Sequence, residues 1–195
     1  LKENFEASEG VENVISHQMS KIVMLSVKPT SVGLGIDPAF GIANIRDLVA
    51  RARELGIFVN IDMENSPYTD DTLRAYRTLR DEGFDNVGIV IQAMLHRSED
   101  DVRSLADYRP TVRLCKGIYK EPREIAWTGR EEIRDSFKRL LRLMLDLGFH
   151  PAIATHDDPL VEDARQQIGE RGLQPDQYEF QMLLGVKENL RRQLL

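Results

Sequence analysis

Short runs of consecutive apolar residues alternate with longer amphipathic stretches along this chain. The runs cover residues 22–28, 57–62, 87–95, 111–119, 151–157 and 178–183. Val87-Gly-Ile-Val-Ile-Gln92 is apolar at nearly every position, the pattern of a strand buried on both faces. The stretches between the runs repeat apolar residues at helical spacing. Residues 42–55 do so through Ile45, Leu48, Val49, Ala52 and Leu55, and stop at Gly56. Residues 70–82 use Leu73, Tyr76 and Leu79 and stop at Gly83; residues 131–147 use Ile133, Phe137, Leu140, Leu141, Met144 and Leu147 and stop at Gly148. Residues 160–170 precede Gly172, and a last helix is predicted over 187–195. This repeat of strand, helix, glycine and strand predicts parallel strands joined by right-handed helical crossovers. No linker or low-complexity segment interrupts it, so a single domain is expected over 1–195.

Two parallel architectures satisfy that repeat, an open doubly wound sheet and a closed barrel. The G-x-G-x-x-G dinucleotide fingerprint is absent, and Gly33 and Gly35 read as a loop. Polar residues favour the barrel. They close almost every predicted strand: Lys28; Asp62 and Glu64; Gln92; Arg113 and Lys116; Thr155, His156 and Asp157. Barrel enzymes gather their chemistry at the C-terminal ends of the strands, whereas a flavodoxin-like sheet concentrates it at one switch point. A (β/α)8 barrel needs eight strands and six are found, so the expectation is an α/β, TIM-like barrel seen incomplete.

Composition narrows the partners. With 195 residues, 42% hydrophobic and 30% charged, the chain reads as an ordinary globular protein. The formal net charge of −6 argues against nucleic acid as the main partner. No apolar run reaches the roughly 20 residues of a membrane span, and no signal peptide is expected from the opening residues. The single cysteine, Cys115, leaves no internal disulfide and makes a cytoplasmic setting the default.

Three constellations carry candidate chemistry. Lys28 and Asp62 end consecutive strands, which places them side by side either as a structural ion pair or as a charged clamp at a pocket. In Thr111-Val-Arg-Leu-Cys-Lys-Gly-Ile-Tyr119, alternation puts Arg113, Cys115 and Gly117 on one face and Leu114, Lys116 and Ile118 on the other. Two cations on a buried strand invite an anionic or electron-rich ligand, and Gly117 would let it approach the backbone. His156 closes a strand, but His17, His96 and His150 sit at no comparable position, so no metal site is expected. Cys115 reads as a small packed hydrophobe.

The motifs together resemble proline dehydrogenase, particularly its single-function bacterial members. The matching segments are Ser26-Val-Lys-Pro-Thr30, Asn60-Ile-Asp-Met-Glu-Asn65, Gly88-Ile-Val-Ile-Gln-Ala93, Arg113-Leu-Cys-Lys-Gly-Ile-Tyr119, Ala154-Thr-His-Asp157 and Glu179-Phe-Gln-Met-Leu183. The resemblance implies a distorted (β/α)8 barrel that binds FAD at the strand C-termini and oxidises L-proline to 1-pyrroline-5-carboxylate. It implies that Lys28 contacts the substrate carboxylate with Asp62 beside it, and that Met63 touches the flavin. Gln92 would hydrogen-bond the isoalloxazine, and Arg113 would stand by flavin N5. Lys116, Gly117 and Ile118 would line the cofactor, Leu114 and Tyr119 would shape the proline pocket, and Thr155 and His156 would reach the FAD. Electrons would pass to a quinone or another acceptor, with peripheral contact at the inner membrane and functional pairing with a pyrroline-5-carboxylate dehydrogenase.

The resemblance aligns the six strands with the family's second to seventh, leaving at most a remnant of the first around residues 1–5. The family's last helix, with its Tyr and Arg-Arg carboxylate clamp, has no counterpart, because Arg191-Arg192 falls too early in the fold. The helix expected from Val14 into Ser26 is shortened, and Leu184 replaces an aromatic residue or His. The competing enzyme class is a Schiff-base aldolase-type barrel using Lys28 or Lys116.

Overall fold

A computed structural model describes residues 24–194. Six strands lie in one sheet in chain order. By contact density the described chain divides between Ile89 and Val90 into two compact units.

The first unit opens with β1 (Met24–Val27), a 3-10 turn (Pro29–Val32) and helix α1 (Pro38–Glu54). The Asp37 carboxylate accepts the Phe40 N–H at 2.8 Å and Pro38 supplies the fixed φ of a first helical residue, so α1 starts where its sequence dictates. Its buried stripe is Ile45, Leu48, Val49 and Ala52, four of the five residues that the periodicity picks out. Next come β2 (Phe58–Ile61), a second 3-10 turn (Ser66–Tyr68), helix α2 (Thr69–Asp81) and the start of β3 (Val87–Gln92). β1 pairs with β2 and β2 with β3, both in parallel. β3 is buried at all six positions, as expected for a strand covered on both faces.

In the second unit β3 ends at Gln92 and the chain enters a short helix, α3 (Ser98–Arg103). β4 (Thr111–Cys115), α4 (Arg130–Asp146), β5 (His150–Ala154), α5 (Asp158–Arg171), β6 (Glu179–Gln181) and α6 (Glu188–Leu194) follow. β4, β5 and β6 pair in parallel, again in chain order. Glu132 reaches back to the Gly129 N–H at 2.9 Å to start α4. Phe137, Leu140, Leu141 and Met144 then form its buried face, each worth about 1.5–3 kcal/mol of apolar burial.

Every strand ends before its apolar run does, and in two of them the reason is a turn. The run over 87–95 leaves the ladder at Gln92 because Leu95 N–H folds back onto the Gln92 carbonyl. The run over 111–119 stops at Cys115, and Gly117 then takes φ +100°, which no strand residue adopts. α3 has no counterpart in the apolar pattern. Ser98-Glu-Asp-Asp-Val-Arg103 buries one large apolar residue, Val102. Ion pairs at helical spacing, Arg97 with Asp101 and Arg103 with Glu99, support it instead. Residues 1–5 and the segment from Val14 to Val23 lie outside the described residues. No helix among the described residues is long and apolar enough to cross a membrane.

Candidate functional site

In the first unit the strand ends meet as their spacing predicts. Val27 pairs with Ile61, and the Asp62 N–H donates to the Val27 carbonyl at 2.9 Å, so Lys28 and Asp62 leave adjacent strands together. Lys28 is exposed, Asp62 half-buried and Met63 buried. Beside them Glu64 is buried and accepts both the Thr30 N–H at 2.7 Å and the Thr30 hydroxyl at 2.8 Å. That double acceptance ties the turn after β1 to the end of β2. Glu64 is among the polar strand-end residues in the sequence, but its grip on Thr30 needs a contact across 34 positions.

The second unit holds a cavity of about 580 Å3 lined by Arg113, Ala154, His156, Phe180, Gln181, Met182 and Leu183. Its volume falls within the range of small-molecule and cofactor pockets. Alternation along β4 sends Arg113 to this side while Val112 and Leu114 are fully buried on the other. Leu114, expected at a substrate pocket, therefore packs in the core and does not line the cavity. Arg113 Nε donates to Gln181 Oε1 at 2.5 Å, and Gln181 donates in turn to Glu179. This chain turns the Gln181 oxygen toward the guanidinium. His156 Nε2 accepts the Leu183 N–H at 2.7 Å, so a neutral His156 carries its proton on Nδ1.

The turn after β4 is built around Met94. The Ala93 and Met94 N–H groups donate to the Cys115 and Lys116 carbonyls at 2.8 and 2.9 Å, and the Met94 carbonyl accepts from Trp127 at 2.7 Å. The backbone of Gly117 is approached by the Met94 thioether: a Cβ there would lie 2.5 Å from its sulfur. The glycine thus serves close packing within the protein. Ile118 projects with 88% of its surface exposed, and Tyr119 packs half-buried against Met94, Leu95 and Ala126. Gln92 is buried, and its carbonyl accepts the Ser98 hydroxyl at 2.6 Å.

Lys116 meets a residue without an assigned role. Its ammonium lies 3.0 Å from the Asp157 carboxylate, which also receives Arg134 from α4 at 2.8 Å. Burial pushes the Asp157 carboxyl upward, but hydrogen bonds from Arg134 and Lys116 outweigh it and bring the pKa down from 3.8 to about 2. The Asp157 hydrogen bond raises the Arg134 guanidinium against the opposing effect of burial. Thr155 is buried, and its hydroxyl accepts the Asp157 N–H at 3.2 Å. Lys116, Thr155 and His156 thus lie just past the ends of β4 and β5, while Arg113 is the middle residue of β4. Gln181 and Asp157 stand in quoted motifs without a role, and nothing in the pattern of α4 singles out Arg134.

The family model described as proline dehydrogenase matches residues 2–195. The chain belongs to the proline dehydrogenase family. Its curated relatives in this family include proline dehydrogenase 1 of Bacillus subtilis (strain 168), 33% identical over 189 residues that cover 97% of this chain and 62% of the relative. Proline dehydrogenase of Deinococcus radiodurans is 38% identical over 174 residues, 87% of this chain and 56% of the relative. The chain therefore spans 56–62% of the length of these two relatives. Proline utilization A (PutA) from Bdellovibrio bacteriovorus, solved after inactivation by N-propargylglycine, superposes with a TM-score of 0.86 at 23% identity, covering 97% of this chain and 24% of that one. A Bradyrhizobium japonicum PutA superposes at 0.80 with 22% identity, covering 99% of this chain and 23% of that one. At that identity the structural likeness establishes the fold: the six parallel strands and their helices are part of a TIM-like α/β barrel.

Proposed function

We propose that residues 1–195 belong to one proline dehydrogenase barrel domain that binds FAD and oxidises L-proline to 1-pyrroline-5-carboxylate. The observation that carries this reading is family membership over 2–195 combined with a cavity at the strand ends whose wall includes Arg113. The donor set fits the cofactor. A guanidinium, an imidazole and an amide share the cavity with Phe180, Met182 and Leu183, which suits a flat ring that is apolar on its faces and polar at its edge. FAD, when bound, supplies the acceptor for the hydride that leaves proline C5.

The chain's own residues bind, orient and set charge. Arg113 places a fixed cation where negative charge gathers, and Gln181 holds its Nε so that little reorganisation is needed. Lys116 presents a second cation from the turn after β4; Gln92, Gly117, Ile118, Thr155 and His156 are assigned to the cofactor and Met63 to the ring. Lys28 and Asp62 are assigned to the proline carboxylate and its neighbourhood, and Tyr119 to the shape of the pocket; Leu114, buried in the core, is given no part in it. Quinone or another acceptor, reached by peripheral contact at the inner membrane from a cytoplasmic setting, would reoxidise the enzyme. A pyrroline-5-carboxylate dehydrogenase would consume the product.

The Schiff-base reading is less well supported. Lys116 is committed to the Asp157 carboxylate, and Lys28 is exposed rather than buried in an apolar pocket. Purification of the full-length protein separates the two. Yellow protein with a flavin absorption band supports the proposal. Colourless protein that borohydride links covalently to a keto acid would replace it with the aldolase reading.

A further inference from the structure

Asp157 occupies the N-cap of α5, where an aspartate side chain ordinarily accepts from the N–H groups of the first turn. Its carbonyl does begin the helix, accepting from Leu160 and Val161 at 2.9 and 3.0 Å. Its carboxylate makes no cap hydrogen bond. It turns instead toward two cations from other elements. Arg134 Nη2 donates to Oδ1 at 2.8 Å, and Nε lies 3.2 Å from each oxygen. Lys116 Nζ donates to Oδ2 at 3.0 Å. The Asp157 side chain is 3% exposed and that of Arg134 12%, whereas that of Lys116 is 40% exposed.

The buried Asp157 carboxylate thus meets two cations, one from the turn after β4 and one from α4. Arg134 Nη1 also donates to the exposed Glu131, while its Nε and Nη2 face both Asp157 oxygens and fix the plane of that carboxylate. The oxygen offered to Lys116 therefore points in a set direction. A lysine on a flexible stem would otherwise spread its ammonium over many rotamers, and pairing with a mobile surface partner would not hold it. With Glu131, which pairs with Arg134 at 2.6 Å, the cluster sets two cations against two anions, and Lys116 is the more exposed of its two cations. Lys116 also belongs to the turn that runs through Gly117 and Ile118.

We propose that Asp157 is a positioning residue: clamped by Arg134, it aims the Lys116 ammonium and the turn that carries it at an anionic part of the dinucleotide cofactor. This rests on the FAD reading above. Asp157 touches no ligand in this scheme and acts only through Lys116.

The test is a double-mutant cycle on FAD affinity, measured by titrating FAD into apoprotein prepared from the full-length enzyme, with apoprotein thermal unfolding followed alongside. Asp157→Asn and Lys116→Met should each weaken FAD binding by on the order of tenfold, since each removes a charge-assisted contact. The double variant should be no weaker than Lys116→Met alone, and Asp157→Glu should recover part of the affinity. Multiplicative losses, or an Asp157→Asn variant that binds FAD as tightly as the parent or more tightly, would overturn the positioning role. A loss of affinity that only tracks a fall in apoprotein melting temperature would overturn it too. If Asp157→Asn yields no folded apoprotein, Arg134→Lys takes its place in the same cycle, since a single ammonium cannot span both carboxylate oxygens. Parent protein with no measurable affinity for FAD would defeat the proposed function itself; parent that binds FAD while the cycle is additive defeats only the role of Asp157.

Discussion

Acid should remove stability from the Asp157 cluster within a defined window. The carboxyl is lowered from 3.8 to about 2 because hydrogen bonds from Arg134 and Lys116 outweigh the burial that pushes it upward. A group depressed in the folded state contributes stability that is present above its unfolded pKa and is lost as pH falls through the folded one. At 1.36 kcal/mol per unit, the depression is worth roughly 2 kcal/mol near neutrality. The partly exposed Lys116 makes this an upper figure, because solvent screens its share. Urea unfolding of the parent and of Asp157→Asn, read by circular dichroism at intervals from pH 7 down to pH 2, isolates the effect because the amide does not titrate. The stability gap between the two should stay level down to about pH 5 and then narrow by up to roughly 2 kcal/mol between about pH 4 and pH 2. A gap that stays constant through that window would refute the assignment of Asp157 as a depressed, doubly paired carboxylate. A gap that widens with acid would reverse its sign.

Three further outcomes follow from single contacts. Arg113→Met should slow reduction of bound flavin by proline by on the order of a hundredfold while FAD remains bound, as stopped-flow absorbance would show. Glu64→Ala should cost about 1–3 kcal/mol in urea unfolding, because it strands the Thr30 N–H and hydroxyl that Glu64 accepts. Its local signature is faster amide exchange at Thr30. Gly117→Ala should cost about 1–3 kcal/mol, since φ +100° is strained for any side chain and the new methyl would meet the Met94 sulfur; adding Met94→Ala should relieve the steric part of that strain and leave the backbone part.

The parallel sheet was legible because its strands and crossover helices obey different periods. Each strand overlaps one predicted apolar run, and the stripes of α1 and α4 follow the spaced Leu, Ile, Val and Phe residues. Alternation also foretold that Arg113 and Leu114 would face opposite ways; the core position of Leu114 is the consequence. Strand ends were less legible: residues 93–95 and 116–119 are apolar enough to continue a strand, and only the turn at Gln92 and the φ of Gly117 end it. α3 was invisible because ion pairs rather than an apolar stripe support it. The candidate site divides in the same way. Arg113, Lys116, Thr155 and His156 declared themselves as polar residues at the ends of buried runs. Arg134 could not, since an arginine on an amphipathic helix looks like any solvated residue until Asp157 is found against it 23 positions away. Gln181 resembled ordinary strand-end polarity until its bond to Arg113, across 68 positions, was known.

The most direct test of the central claim is to mix the full-length protein, loaded with FAD, with L-proline in the absence of oxygen and other acceptors. The flavin absorption band should bleach, and 1-pyrroline-5-carboxylate should form in a one-to-one ratio with the flavin bleached. Flavin that stays oxidised under saturating proline, in protein shown by circular dichroism to be folded, would contradict it.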